Sequence, residues 1–152
     1  MSDQQIRLVL DVTAVLAYAR GSDDVGETIT QVRENGDAFT AGVLTLAAAR
    51  SAARTDFAGL VDALTAHPAW QSAALDTGEW RPLAATFDTL HRQVTDTPDL
   101  TEMSAAEALV LSFRGNAVNV LTAQPQVYAV NVLTAQPQVY AVMGDDPPII
   151  EI

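Results

Sequence analysis

Apolar and polar positions along the chain change period several times, and each change predicts an element. Residues 6–12, Ile-Arg-Leu-Val-Leu-Asp-Val, form a short apolar run rich in branched side chains, and predict a buried strand that ends near Asp11. From Ser22 the spacing becomes helical. Val25, Ile29 and Val32 recur on one side, with Ser22, Asp23 or Asp24 as N-cap and Asn35-Gly36 as the stop. Residues 37–43 predict a second short strand, and the alanine-rich stretch 44–54 a helix. Phe57, Leu60, Val61 and Leu64 then fall at i, i+3, i+4 and i+7 behind Thr55 or Asp56 as cap, and His67-Pro68 ends that helix. Residues 70–76 are the third strand candidate. Arg81-Pro82 opens a helix lined by Leu83, Phe87, Leu90 and Val94, and Met103, Ala106, Val110 and Phe113 stripe another that Gly115 stops. Strand-like segments over 118–124 and 147–152 complete the pattern.

Strands alternating with helices imply an α/β fold. The expected form is a mostly parallel central sheet of about five strands covered on both faces, a three-layer α/β/α sandwich. In such a sheet ligands gather at the carboxyl ends of the strands, where Asp11 falls. A chain of 152 residues with 49% apolar composition is expected to form one domain over 1–152. No run approaches the roughly 20 apolar residues that cross a bilayer, and the first residues do not read as a secretory leader, so a cytoplasmic protein is expected.

The absence of cysteine excludes disulfides, thiolate nucleophiles and thiolate metal sites, and fits a reducing compartment. His67 and His91 are too few for a multi-histidine metal site and read as helix-end or surface residues, while Trp70 and Trp80 read as packing residues. Eight basic residues, all Arg, against 19 acidic ones leave a net charge of −11, a field that favours solubility and repels phosphate backbones. Arg50 and Arg54, four residues apart, form at most a small basic spot. No phosphate-cradling glycine loop, serine-nucleophile elbow or zinc spacing is present in the sequence.

Four stretches carry a family resemblance. "LVLDVTAVLAYARG" resembles the opening of PIN-domain proteins, a strand ending in Asp with Ser or Thr two positions later, here Asp11 and Thr13. "VLTAQPQVYAVMGDDPPIIEI" is similar to the family's close, with "HPAWQSAALDTGEWRPLAATFDTL" and "DLTEMSAAEALVLSFRG" in the expected order between them. The ordered match spans nearly the whole chain. The resemblance implies a nuclease, usually acting on RNA and often the toxin of a type II toxin–antitoxin pair. Its chemistry gathers three or four carboxylates at the strand ends, where Mg²⁺ or Mn²⁺ takes hard oxygen ligands and activates a water.

Asp11 matches the first of those carboxylates. The second falls on Ala48, the third on Ser104, and the fourth on Gln124 or Gln136, with Thr122 or Thr134 at the family's turn threonine. Glu107, one turn beyond Ser104, and Glu102 are the candidates for a rebuilt acidic set with Asp11. Asp11 also has a plain structural use, accepting hydrogen bonds from Thr13, a backbone turn or the next helix's N–H groups.

The expected function is therefore a catalytically degenerate PIN-like domain, a pseudo-nuclease that needs no cofactor and binds protein or RNA. The charge favours a protein partner, such as an antitoxin-like peptide, and the resemblance adds a homodimer; no membrane partner is expected. The alternative is an active Mg²⁺- or Mn²⁺-dependent endoribonuclease built on Asp11 and Glu107, and a folded remnant without a task is the third reading.

Residues 117–128, "AVNVLTAQPQVY", return unchanged as 129–140. A sheet offers one slot for this segment, and the first copy is expected there, through Val120 to Thr122, because it follows the preceding helix by a short connection. The second copy is then a tolerated insertion. Identity between the copies permits a register exchange or pairing with an exposed edge. A perfect doubling points to recent duplication rather than to a repeat architecture.

Overall fold

The computed structural model describes residues 4–91, 100–113, 118–122 and 149–151. Within them the elements run β1 (Ile6–Leu10), α1 (Val12–Ala19), α2 (Asp23–Glu34), β2 (Ala38–Thr40), α3 (Val43–Ala52), α4 (Arg54–Leu64), a 3₁₀ turn (Thr77–Glu79), α5 (Trp80–His91), α6 (Leu100–Ser112), β3 (Asn119–Thr122) and β4 (Ile149–Glu151). The strands form one sheet in the order β2-β1-β3-β4, and every pairing is parallel. The mixed α/β class and the parallel sheet agree with the periodicity.

Apolar packing lies on both faces of the sheet. Leu8, Leu10, Phe39 and Leu121 belong to one buried cluster with α1, α2, α3 and α4, whereas Val9 and Val120 join the other with residues of α5 and α6. Adjacent strand residues point to opposite faces, so this division follows from the pleat. One irregularity adjusts it. Ile6 pairs with Ala38 while Leu8 pairs with Phe39, which leaves Arg7 as an extra residue in β1. Because of that bulge Ile6 packs with the Val9 cluster, although strict alternation would put it with Leu8. Arg7 lies 3.8 Å from Asp37 at the start of the neighbouring strand.

Several sequence expectations need correction. No helix is foreseen between the first strand and Ser22, yet α1 occupies that interval directly after Asp11. Its Val12, Ala14, Val15 and Ala19 are buried and its polar positions are few, so it carries no clear apolar stripe. The third strand candidate, 70–76, is reduced to one parallel bridge. Phe39 N donates to Ala69 O at 3.0 Å and Gln71 N donates to Phe39 O at 3.0 Å, after which the chain leaves the sheet. Exposed Gln71 and Ser72 offer no apolar side to bury, and Asp76 caps the 3₁₀ turn. The described sheet therefore has four strands rather than five.

The stripe assigned to α4 is rotated. Val61 and Leu64 are buried as expected, but Phe57 and Leu60 are 40% and 47% exposed, and Ala58 takes the inward place. The helix also begins earlier, at Arg54, with Ala53 as N-cap in helical backbone, so Thr55 and Asp56 lie inside it. A helix that follows α3 with one intervening residue has its rotation set by α3, not by its own most apolar face. Arg50 consequently sits in α3 and Arg54 in α4, and Arg50 Nε donates to Asp62 Oδ1 at 2.9 Å. Trp70 packs edge-to-face on Phe39 as a packing residue should, but Trp80 is 59% exposed with the Arg81 guanidinium over its ring.

The α2 helix meets its prediction. Val25 and Ile29 are buried, and Gly36 stops the helix at φ +77, a backbone conformation that suits glycine. In α6 the stripe is an understatement: Ser104 through Ser112 are all buried, because the helix packs on α3, α5 and the sheet at once. β3 comes from the first copy of the repeat, with Val120 and Leu121 fully buried. The second copy lies outside the described residues, as do Gln124, Thr134 and Gln136. Among the described residues, no helix is long and apolar enough to cross a membrane.

Candidate functional site

The carboxyl ends of β1 and β3, with the starts of α1 and α3, enclose a buried polar cluster. Asp11 follows β1 directly, and its backbone N–H donates to Leu121 O at 3.2 Å, so the sheet itself holds the residue. Its side chain is the N-cap of α1: Oδ1 accepts from Ala14 N at 3.0 Å and from Thr13 Oγ1 at 2.7 Å. Thr13 Oγ1 also lies 3.1 Å from Thr122 Oγ1 at the end of β3. With its proton given to Asp11, Thr13 accepts there, and the hydroxyls run from Thr122 through Thr13 to the carboxylate. Asp11 and Thr122 are both buried. The Asp–Thr spacing read from the sequence is thus a helix cap joined to a neighbouring strand.

Glu107, on α6, is 1% exposed and caps a second helix. Oε2 accepts from Leu44 N at 3.0 Å, and Oε1 accepts from Thr45 N at 3.1 Å and from Thr45 Oγ1 at 3.2 Å. Leu44 and Thr45 belong to the first turn of α3, whose N-cap, Gly42, has no side chain to offer. A carboxylate distant in sequence therefore caps α3, where the helix dipole favours negative charge. Gly42 is required by the same contact, since a Cβ there would fall inside the Glu107 carboxylate.

Ser104, one turn before Glu107, is completely buried, and Ala48 places its methyl in the core cluster beneath α3. Thr40 at the end of β2 is buried, and its Oγ1 has no hydrogen-bond partner among the described residues. The structure thus brings Asp11, Thr13 and Thr122 together, and separately joins Glu107 to Thr45. Glu102 lies in α6, two residues before Ser104. Sequence reasoning missed Gly42, Thr45 and Thr40. A usable signal did exist for Gly42: a helix start with no local Ser, Thr, Asp or Asn cap calls for an acceptor from elsewhere.

A divalent metal of the kind the resemblance implies does not fit this donor set. Mg²⁺ and Mn²⁺ take about six hard oxygens, of which one or two are usually carboxylates. Here the second position is a methyl and the third a neutral hydroxyl. Both Glu107 oxygens and Asp11 Oδ1 accept from the first turns of α3 and α1, so both carboxylates serve as helix caps. Among the described residues, no three His, Asp or Glu side chains gather as a ligand set.

Two other features lie apart from this cluster. An open cleft of about 540 Å³ lies beside the start of α2, lined by Tyr18, Ser22, Asp23 and Glu27 among others. It shares no residue with the strand-end cluster, whose Asp11 and Thr122 are buried. His67 closes the turn after α4, where Nδ1 accepts from Ala69 N at 3.0 Å and the ring meets Phe39 edge-to-face. Burial lowers its pKa from the ordinary 6.5, with the Arg33 charge adding to the effect. His91 ends α5.

No family model matches the chain, and a search of curated proteins finds no significant match. The functional reading therefore stands on residues and geometry.

Proposed function

We propose that the chain is a catalytically degenerate PIN-like domain, a pseudo-nuclease that works by binding a protein rather than by cutting RNA. The observation that carries this reading is Glu107, a candidate for a rebuilt acidic site, whose two oxygens instead cap α3. Asp11 is engaged in the same way at α1. No cofactor belongs to this reading, and Mg²⁺ or Mn²⁺ belongs to the alternative of a surviving endoribonuclease.

The proposed architecture is the three-layer α/β/α sandwich, with the bridge at Trp70 as a short extension of its edge. Packing on both faces of the sheet supports it. The net charge of −11 favours a protein partner over RNA, and more narrowly an apolar segment with positive charge, such as an antitoxin-like peptide. Phe57 and Leu60, one turn apart on α4, supply exposed apolar surface for it, or for a second copy of the chain. A cytoplasmic location is part of the proposal, in keeping with a cysteine-free sequence.

The test is incubation of purified protein with structured and single-stranded RNA in Mg²⁺ or Mn²⁺, beside an Asp11→Asn control. The expected result is no cleavage above that control. Metal-dependent cleavage that the substitution abolishes would overturn the reading.

A further inference from the structure

The stop of α2 is the pair Asn35-Gly36, and both residues are exposed. Asparagine followed by glycine is chemically labile in water, because the next backbone nitrogen can attack the side-chain amide and glycine has no Cβ to hinder the approach. In this fold the pair is held in a cap. Gly36 N donates to Arg33 O and Asp37 N donates to Val32 O, each at 3.0 Å, a Schellman motif with Gly36 at φ +77.

Two features of the cap oppose attack. The Gly36 N–H is engaged with Arg33 O, and Asn35 at ψ 0 turns the Gly36 nitrogen away from its own Cβ. A five-membered imide needs the two on one side of the Cα–C bond, so reaction waits for the turn to open. The anchoring of that turn is slight. Val25 and Ile29 are the buried residues of α2, Val32 is only partly buried against the core, and residues 33–36 are exposed. Asp37 lies 3.8 Å from Arg7, a partly exposed pair that contributes little. Helix ends held in this way open far more often than the whole fold. Among the described residues, nothing lies within 4 Å of a Cβ position on Gly36, so the opened turn has room for the ring.

We propose that Asn35 is a deamidation site, reacting through a cyclic imide with Gly36 at a rate set by opening of the last turn of α2. In the opened turn the Gly36 nitrogen gives its proton to hydroxide and attacks Asn35 Cγ. The N–Cγ bond forms, the Cγ–Nδ2 bond breaks, and ammonia leaves with a proton from water, which restores the hydroxide. Water then opens the imide at Cγ to give aspartate, or at the main-chain carbonyl to give isoaspartate. One water is consumed and one ammonia released, with no change of oxidation state. Either product puts a carboxylate at the C-terminus of α2 beside Glu34 and Asp37, where the helix dipole disfavours it. Isoaspartate also adds a methylene to the main chain between α2 and β2, which shifts Gly36 and Asp37 out of register with the carbonyls they cap.

The test follows the purified chain in mildly alkaline buffer, native and in guanidinium chloride. The tryptic peptide 34–50 is resolved over time into its asparagine, aspartate and isoaspartate forms. In the denatured chain Asn35 should convert faster than Asn116, Asn119 and Asn131, which precede Ala or Val, and Gly36→Ala should slow it. In the native protein it should convert about tenfold more slowly, and hydrogen exchange at the Gly36 amide should show protection of the same size. Val32→Ala, confirmed folded by circular dichroism, should raise the native rate several-fold and leave the denatured rate unchanged. Equal native and denatured rates overturn the proposal, as does a native rate indifferent to Val32→Ala. It also fails if native Asn35 stays intact for about a hundred denatured half-lives, or if another asparagine outpaces it in the denatured chain.

Discussion

His67 holds an acceptor nitrogen where a proton would be unfavourable. The Ala69 N–H points at Nδ1, the ring lies against Phe39, and burial and Arg33 both disfavour the cation. Its pKa is lowered in the folded state, so the unfolded chain binds the proton more readily. The resulting stability is fully present above the unfolded value of 6.5 and is lost as the pH falls through 6.5 toward the lower folded value. Thermal melts between pH 7.5 and 5 should show a larger decline for the wild type than for His67→Asn; parallel declines would remove this role. Single residues differ in how legible they are. Asp11 could be read as hydrogen-bonded because Thr13 and Ala14 lie within three residues of it, whereas the Thr122 contact of Thr13 spans 109 positions. Trp80 could not be read as exposed, because its surroundings depend on how α5 is laid down.

Between elements, the contact that matters most joins α6 to α3. Glu107 supplies the acceptors that the first turn of α3 lacks, and Gly42 leaves room for them. Glu107→Ala would orphan two buried N–H groups and the Thr45 hydroxyl, a loss of about 3 kcal/mol. Glu107→Gln keeps one acceptor oxygen and should lose about half as much. Gly42→Ala should cost about as much as Glu107→Ala, since the added methyl must displace the carboxylate. In a double-mutant cycle by chemical denaturation, the Gly42 and Glu107 losses should be strongly non-additive; additive losses would show that the two do not act together. The sequence reveals α2 and α5 through their periodicity and hides α1, which is mostly apolar and buried. It reveals that α4 exists but not its rotation, because Ala53 continues the helical backbone out of α3.

For the whole molecule, charge and the apolar face of α4 bear on what it binds. A surface at −11 attracts basic partners and keeps copies of the chain apart at low ionic strength. Phe57→Asp with Leu60→Asp should change the unfolding free energy by no more than about 0.5 kcal/mol each, as for ordinary surface substitutions, because both side chains are already half in water. The same pair should abolish binding of any basic peptide or protein that the wild type retains in pull-down and calorimetry; retained affinity would move the binding surface elsewhere.

Local pattern was sufficient for the alternation of strands and helices, for the parallel sheet, for Asp11 at a strand end and for the first repeat copy as β3. Each of these depends on periodicity, side-chain chemistry and short connections, which are properties of neighbours in sequence. The fifth strand shortened to a bridge, the rotation of α4, the all-round burial of α6 and the use of Glu107 as a helix cap were decided in three dimensions. They follow from which surfaces meet. Leu44 and Glu107 are 63 positions apart, and nothing in either segment alone says that one will complete the hydrogen bonding of the other.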